Sequence, residues 1–475
     1  MTHVVLIGAY GSAGSAVAEV LADAEGVELT MVDDGDPGGG LCILRGCMPS
    51  KEVLSAGEHK HQAEHDPRLN AAVAPDVDAI VERKDENTGR WAGYRRDAIH
   101  DLAERDGVEF IHDTARFVDA EESRSSTDRP ETERHTVAVG DREIEADYVV
   151  VATGSSLNVP DLPGIEDVDY WDSARVLDAT EFPDSGVVMG FGFVGLELAP
   201  YLAEVGDVDL TVIEHDERPL DDAPDRLGDD LLDCYREEYD IDVRTSVREE
   251  AVEETDEGVA VHLDDGSTVE ADDLFLFTGR VPTLDGLGLE HTAVDPGEGW
   301  VAETMQARGD ERVFAVGDVT GREQVLHVAK EEGYTAGRNI LAHARGEELE
   351  TYDPTVHRVV FSGLGTYPYA RLGHTADAAR EAGYDPIVVS RDASDDGVFE
   401  AKVVPRGGAD LVVAQDGTVL GYQGLHYHAD VMAKTMQVIV ELGLDVRDLP
   451  SRAYHPTTPE ILDGLFRDAV DELDA

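Results

Sequence analysis

The segment Gly38–Lys51, GGGLCILRGCMPSK, carries the residues best equipped for chemistry. It holds Cys42 and Cys47, two of the three cysteines in a 475-residue chain. A pair this close could be a structural staple, half of a metal site, or a dithiol that cycles with its disulfide. Three cysteines do not build a disulfide scaffold of the secreted kind. In an intracellular chain a close pair is more often redox or metal chemistry. Cys234 stands alone and reads as a buried, inert thiol.

Two glycine turns must position this chemistry. Residues 3–35 read as strand, turn, helix and strand, ending at Asp33-Asp34. In the turn, Ala9-x-Gly11-x-x-Gly14 fits dinucleotide spacing, with Ala9 where a first glycine usually sits and Gly8 one place early. Glycine lets the backbone approach a pyrophosphate, and the helix N-terminus supplies N–H groups and positive potential. Asp33, with Asp34 as the alternative, sits where an acid takes ribose hydroxyls. The same plan returns at Ser185–Asp216, where Gly190-Phe-Gly192-Phe-Val-Gly195 is a full GxGxxG and the next strand ends at Glu214. That acid favours NAD over NADP because it would repel a 2′-phosphate; His215 and Arg218 could offset it. Two nucleotide folds and a dithiol imply electron flow from a nicotinamide through a flavin to a disulfide.

The chain is long enough for several domains, and 41% hydrophobic residues supply real cores. Its formal net charge is −64, from 38 Lys+Arg against 102 Asp+Glu. Such a chain repels itself in dilute buffer, whereas molar salt shortens the Debye length to about 3 Å. The acids are spread along the chain, which reads as adaptation to a salty cytoplasm of the haloarchaeal kind. An acidic surface for a basic partner is the rival reading. Nucleic-acid binding is disfavoured, since phosphate contacts need basic surface. No apolar run is long enough to span a bilayer. The N-terminus enters a strand directly, with no signal-peptide pattern, so a cytoplasmic enzyme is expected.

The expected fold is α/β, with two Rossmann-like nucleotide-binding domains, for FAD and NAD(P), plus a C-terminal α+β dimerisation domain. The boundaries are 1–157 for the FAD domain, 158–282 for the NAD(P) domain, 283–350 for a central part completing the FAD domain, and 351–475 for the interface domain. Residues 50–105 read as mostly helical, Gly107–Asp147 as strands, and the very polar 121–135 as a hairpin tip.

The segment Gly38–Lys51 resembles the GGTCxxxGCxPSK redox box of the class I pyridine nucleotide–disulfide oxidoreductases. VVVATGS, GFGFVGLELA, FTGRVPT, VFAVGDV, LHVAKEEG and HPTTPE resemble further landmarks of that family, in its order. The resemblance implies that Cys42 attacks the substrate disulfide and Cys47 faces the flavin. Pro49 suits a first helical turn, which would put Cys47 at a helix N-terminus, where its pKa falls. Lys51 would lie near the flavin and pair with Glu197. Gly8, Gly11, Gly14, Asp33, Thr153, Gly154, Asp318 and His327 would serve FAD. Gly190, Gly192, Phe193, Gly195, Glu214, Gly279 and Arg280 would serve NAD(P)H, with Phe193 as an aromatic gate. His455 and Glu460 resemble the family's acid–base pair, which moves the thiol proton and reaches the disulfide from a partner subunit. A homodimer with a shared active site follows.

Leu41 departs from the family's usual Thr, Pro459 from its usual Ser, and Ile43-Leu44-Arg45 from its small or polar filler. Arg45 is open between tuning the cysteines or touching an acidic substrate, and simple solvation. Mercuric reductase is disfavoured, because a tyrosine replaces the histidine there and a terminal cysteine pair is lacking here. The expected substrate is a low-molecular-weight disulfide, bis-γ-glutamylcystine, with NADPH as donor and NADH as alternative. NAD-dependent dihydrolipoamide chemistry is the alternative activity. No metal is expected: His61 and His65 in HKHQAEH read as a solvated helix face, and His426 and His428 as structural.

Overall fold

The computed structural model describes residues 1–119, 134–450, 452 and 455–475. The expected hairpin tip therefore lies outside the described residues, apart from Arg134 and His135. The chain forms two compact units. Residues 1–49, 84–158 and 280–354 make the first, and residues 50–83, 159–279 and 355–475 make the second. Residues 50–83, placed by the sequence boundaries with the first nucleotide domain, pack into the second unit. Residues 159–279 and 355–475, expected as separate domains, share one unit and one hydrophobic core.

The first unit is built on the apolar strand Thr2–Ile7. Val4 and Leu6 face one core while Val5 and Ile7 face another. Burial on both faces is why the run is continuously apolar rather than alternating. Its sheet has six strands, ordered Gln306–Ala307, Asp310–Ala315, Tyr148–Val151, Thr2–Ile7, Val27–Asp33 and Val108–His112. All neighbours are parallel except the first pair. The helices Ser12–Leu21 and Leu326–Arg345 meet at a seam of small residues. A Cβ on Gly333 would lie 2.4 Å from the Ala13 carbonyl oxygen. The strands Ala115–Val118, His135–Val139 and Arg142–Ala146 form a separate antiparallel sheet.

The second unit repeats the plan. Its five-stranded parallel sheet runs Asp242–Arg244, Asp209–Ile213, Ser185–Met189, Asp273–Leu276 and Tyr170–Trp171. An antiparallel sheet follows, ordered His357–Val360, Tyr369–Gly373, Val419–Leu425, Gly408–Val413 and Ile387–Asp392. The helices Ala429–Glu441 and Glu460–Leu473 bury one face each, Met432, Ala433 and Met436 from the first and Ile461, Leu465 and Ala469 from the second. Mixed α/β architecture with an α+β C-terminal part is thus observed.

Many cations are held by acids, as in Arg226 with Asp392 and Asp410, and Arg406 with Glu237 and Glu238. Most of the acid excess has no such partner. Raising KCl from 0.1 to 2 M should therefore raise the thermal midpoint, by about 5 °C or more if a few kcal/mol of self-repulsion is screened. Differential scanning fluorimetry across KCl checks this; an unchanged midpoint contradicts it.

Candidate active site

Close backbone approach shapes both glycine turns. Gly8 has φ +96°, and a Cβ there would sit 2.3 Å from the Ala152 carbonyl oxygen. A Cβ on Gly14 would sit 2.0 Å from the Gly8 carbonyl oxygen. In the second unit Gly190 (φ +95°) and Gly195 meet the Phe277 and Gly190 carbonyls at 2.6 and 2.3 Å. Gly8 is thus the counterpart of Gly190. Gly11 caps Ser12–Leu21 as Gly192 caps Phe193–Glu204. The sequence set Ala9 in the first-glycine place; the structure sets Gly8 there, in a loop one residue longer (8 to 14 against 190 to 195). The longer loop holds Tyr10, whose N–H donates to Asp33 Oδ2 at 2.8 Å and whose hydroxyl meets His100 at 2.8 Å.

A cavity of about 840 Å³ borders the first turn. Gly8, Gly11, Asp33, Thr153, Gly154, Asp318 and both Cys42 and Cys47 line it. Asp33 also accepts the Gly35 N–H at 2.9 Å, and burial raises its pKa. Thr153 donates to the Thr283 carbonyl at 2.7 Å. Ser155 donates to Asp318 Oδ2 at 2.6 Å and accepts from Arg280 Nε at 2.8 Å. Arg280, expected at the nicotinamide turn, is therefore fixed in the wall network beside Asp318, because its strand Arg280–Pro282 pairs with Ser155–Leu157. His327 lies between two lining residues, Leu326 and Ala329, and burial pushes its pKa down. These donors fit an FAD: helix-terminal amides for a pyrophosphate, a strand-end acid for a ribose, and a second acid, Asp318.

The redox segment rests on the nucleotide turn. Gly40 has φ +78°, and its Cβ position is 3.0 Å from the Gly11 α-carbon. Cys42 lies in the short helix Leu41–Leu44 and is half-buried; Cys47 opens the helix Cys47–His65 and is exposed. The Cβ position of Gly46 is 3.0 Å from the Cys42 α-carbon, so the ends of CILRGC meet. Arg45 is exposed, lines the cavity, and has no ion pair or hydrogen bond among the described residues.

Two ionisable groups escaped the sequence reading, the half-buried Arg95 and the buried Glu332. Arg95 Nη1 donates to the Tyr10 carbonyl (3.1 Å) and Ser15 Oγ (3.0 Å). Burial depresses its pKa, while negative potential from Glu19 and Cys42 opposes that. Glu332, in Leu326–Arg345, accepts the Gly317 N–H at 2.7 Å. Nothing in the local pattern marks either residue, because their partners are remote in sequence.

In the second unit Lys51 and Glu197 do pair, Nζ to Oε2 at 2.6 Å. Glu197 Oε1 also accepts the Phe361 N–H at 3.1 Å, and the Lys51 ammonium lies 4.5 Å from the Phe361 ring centre. Phe193 is the exposed first residue of its helix. Gly279 follows Thr278 with φ +86°, as Gly154 follows Thr153 with φ +72°. Glu214 accepts the Asp216 N–H at 2.8 Å, and burial raises its pKa. His215 is held by Glu249 and Arg248 at 2.5 and 2.9 Å. Arg218 is held by Asp229 at 2.8 Å.

His455 Nδ1 meets Glu460 Oε1 at 2.7 Å. The histidine side chain is 76% exposed, so its other nitrogen is open to an approaching group. The HKHQAEH reading needs correction. His65 is exposed, but His61 is buried, because it packs against Tyr239 and between Glu204 and Glu238. His426 is fully buried against Tyr422, and His428 meets Thr458. Cys234 is buried, and burial raises its pKa well above the ordinary thiol value.

Burial, opposed by the Gly317 N–H, raises the Glu332 carboxyl to about 7. The folded state therefore keeps a proton that the unfolded state loses near 4.5. Stability falls by up to about 3 kcal/mol as pH rises through that window. Glu332→Gln removes the loss. Its midpoint should gain on the native protein from pH 4.5 to about 7 and hold that gain above. Thermal melts from pH 4.5 to 8 check this; a pH-independent gap contradicts it.

Comparison with known proteins agrees with this geometry. The chain is 30% identical to the dihydrolipoyl dehydrogenase of Halobacterium salinarum, over 97% of this chain and 94% of that protein. It is 28% identical to the mercuric reductase of Staphylococcus aureus, over 94% of this chain and 78% of that protein. The crystal structure of LpdA from Mycobacterium tuberculosis superposes with a TM-score of 0.81 at 23% identity, covering 98% of this chain and 99% of that one. Among the described residues no helix is long and apolar enough to cross a membrane. The family description "pyridine nucleotide-disulphide oxidoreductase" matches residues 2–333, and the chain belongs to that family of flavoprotein oxidoreductases.

Proposed function

We propose that the chain is a flavin-dependent NAD(P)H:disulfide oxidoreductase that reduces a small, carboxylate-bearing disulfide, bis-γ-glutamylcystine first. One observation carries the reading: Cys42 and Cys47 line the cavity of the first glycine turn, and Arg45, without an ion pair among the described residues in a chain of net charge −64, stands between them in sequence. A cation left without a carboxylate where carboxylates abound is suited to one that the substrate brings.

Bound FAD, held by the first turn, Asp33 and Asp318, would accept hydride from NAD(P)H and pass two electrons to the Cys42–Cys47 disulfide. The helix N-terminus at Cys47 favours its thiolate. Cys42 thiolate attacks one sulfur of the substrate, forming a mixed disulfide and releasing one thiolate. Cys47 thiolate then attacks the Cys42 sulfur, which restores Cys42–Cys47 and releases the second thiolate. Each leaving thiolate needs a proton. The His455–Glu460 pair of a second subunit supplies it, with Glu460 stabilising the imidazolium, so the active form is a homodimer.

A second reading, NAD-dependent dihydrolipoamide dehydrogenase, is favoured by the surroundings of Glu214. The two basic side chains that could greet a 2′-phosphate, His215 and Arg218, already hold carboxylates. That supports NADH over the NADPH expected with bis-γ-glutamylcystine.

A steady-state panel in molar KCl separates the readings by crossing NADH and NADPH with bis-γ-glutamylcystine, glutathione disulfide and lipoamide. Cys42→Ser should abolish every disulfide activity while keeping flavin absorbance; an unchanged rate overturns the dithiol mechanism. Arg45→Ala should raise KM for bis-γ-glutamylcystine about tenfold, roughly 1.4 kcal/mol, and leave lipoamide unchanged. Equal effects on both substrates would contradict an anionic substrate.

A further inference from the structure

The second unit holds a buried histidine that disulfide chemistry does not use. His61 is 3% exposed. Its Nε2 lies 3.3 Å from Glu238 Oε2, and its Nδ1 lies 3.7 Å from Glu204 Oε2. The ring stacks on His65 and on Tyr239, with centroids 3.9 and 4.6 Å away. Nε2 faces Glu238, and Nδ1 has no hydrogen-bond partner among the described residues. Glu204 turns Oε2 toward Nδ1, while its Oε1 holds Lys60 Nζ at 2.9 Å. One turn further along the helix, His65 Nδ1 meets the His61 carbonyl at 2.9 Å, leaving its Nε2 as an imine donor.

We propose that His61, His65 and Glu204 bind a divalent transition ion of the zinc class. One donor atom from each lies within 4.8 Å of the others. Donors of a tetrahedral zinc ion sit about 3.4 Å apart, so closing the set requires the stacked His61 and His65 rings to rotate until their nitrogens converge. Two imidazoles four residues apart on one helix face and a carboxylate from a second helix form a borderline N₂O set suited to zinc. Glu238 behind His61 is the outer carboxylate that fixes the tautomer of a metal-binding imidazole. His65 is exposed, so the fourth position opens to water. Without an ion, His61 Nδ1 faces a Glu204 carboxylate oxygen, and a proton is the competing occupant. The ion would clamp the last turns of Cys47–His65 and Phe193–Glu204, two helices that Lys51 and Glu197 already join near their starts.

The test uses flavin-loaded, oxidised protein in metal-free 2 M KCl with zinc chloride as probe. Calorimetry, metal content after desalting and thermal midpoint are read together. The expected result is one zinc per chain and a raised midpoint that a chelator reverses. His65→Gln, at an exposed position, should fold normally, keep native disulfide turnover, bind zinc about a hundredfold more weakly and lose the shift. Glu204→Gln should act in the same direction. No zinc retained by the native chain, or zinc retained equally by His65→Gln, overturns the site and leaves a proton as the occupant. Neither outcome bears on the disulfide reading, because Cys42 and Cys47 stay oxidised throughout.

Discussion

The contact on which the first unit depends is the approach of Gly14 to the Gly8 carbonyl, closer than any side chain would permit. It seats the helix Ser12–Leu21 directly on the end of the central strand. That seating turns the first helical amides toward the cavity. Gly40 then packs against Gly11, so the redox segment takes its position from the same turn. Backbone contact thus sets the position of the segment that carries the cysteines. This fits the three consecutive glycines that precede them: a Cβ on Gly38 would sit 2.2 Å from the Tyr10 ring, and one on Gly39 would be tight at 3.0 Å from the Ala92 side chain.

The same constraint explains what the sequence could reveal. A glycine forced by a carbonyl 2 to 3 Å away leaves a spacing that can be read directly, so both turns, their helices and their end-of-strand acids were legible. The helix start at Cys47 was legible through Pro49, and the His455–Glu460 and Lys51–Glu197 pairs through the family resemblance. What failed depends on distant partners. His61 looked solvated because its neighbours along the chain are polar, whereas Glu204 and Glu238 arrive from far along the sequence. The contact of Arg280 with Ser155 was likewise hidden, because strand pairing joins positions remote in sequence. The extra residue in the first turn was misread because spacing alone cannot show which glycine closes a loop.

Electrostatics impose a second discipline. The chain carries 102 acids against 38 strong cations. Arg226, Arg391 and Arg406 each hold acidic partners across elements. High salt weakens long-range repulsion among exposed acids but screens direct contacts far less. Recognition that must work in molar salt therefore favours a contact ion pair over a diffuse field. Arg45, exposed at the cavity wall, is placed for such a contact, whereas surface acids elsewhere serve solubility.

The helices Cys47–His65 and Phe193–Glu204 bring these themes together. Within the second unit Lys51 binds Glu197, and further along the same helices Lys60 and His61 face Glu204. Glu197 is fixed from a second side by the Phe361 amide, and Glu204 divides its two oxygens between Lys60 and His61. Each carboxylate is thus partly desolvated yet held by a lysine, Glu197 by Lys51 and Glu204 by Lys60, the arrangement in which a buried ion pair retains value. Losing either anchor would leave a buried charge uncompensated at one end of the helix pair. Phe193–Glu204 begins at the second glycine turn and Cys47–His65 begins at the redox cysteine. Within the second unit, the charges that fasten these two helices therefore limit how far either can shift.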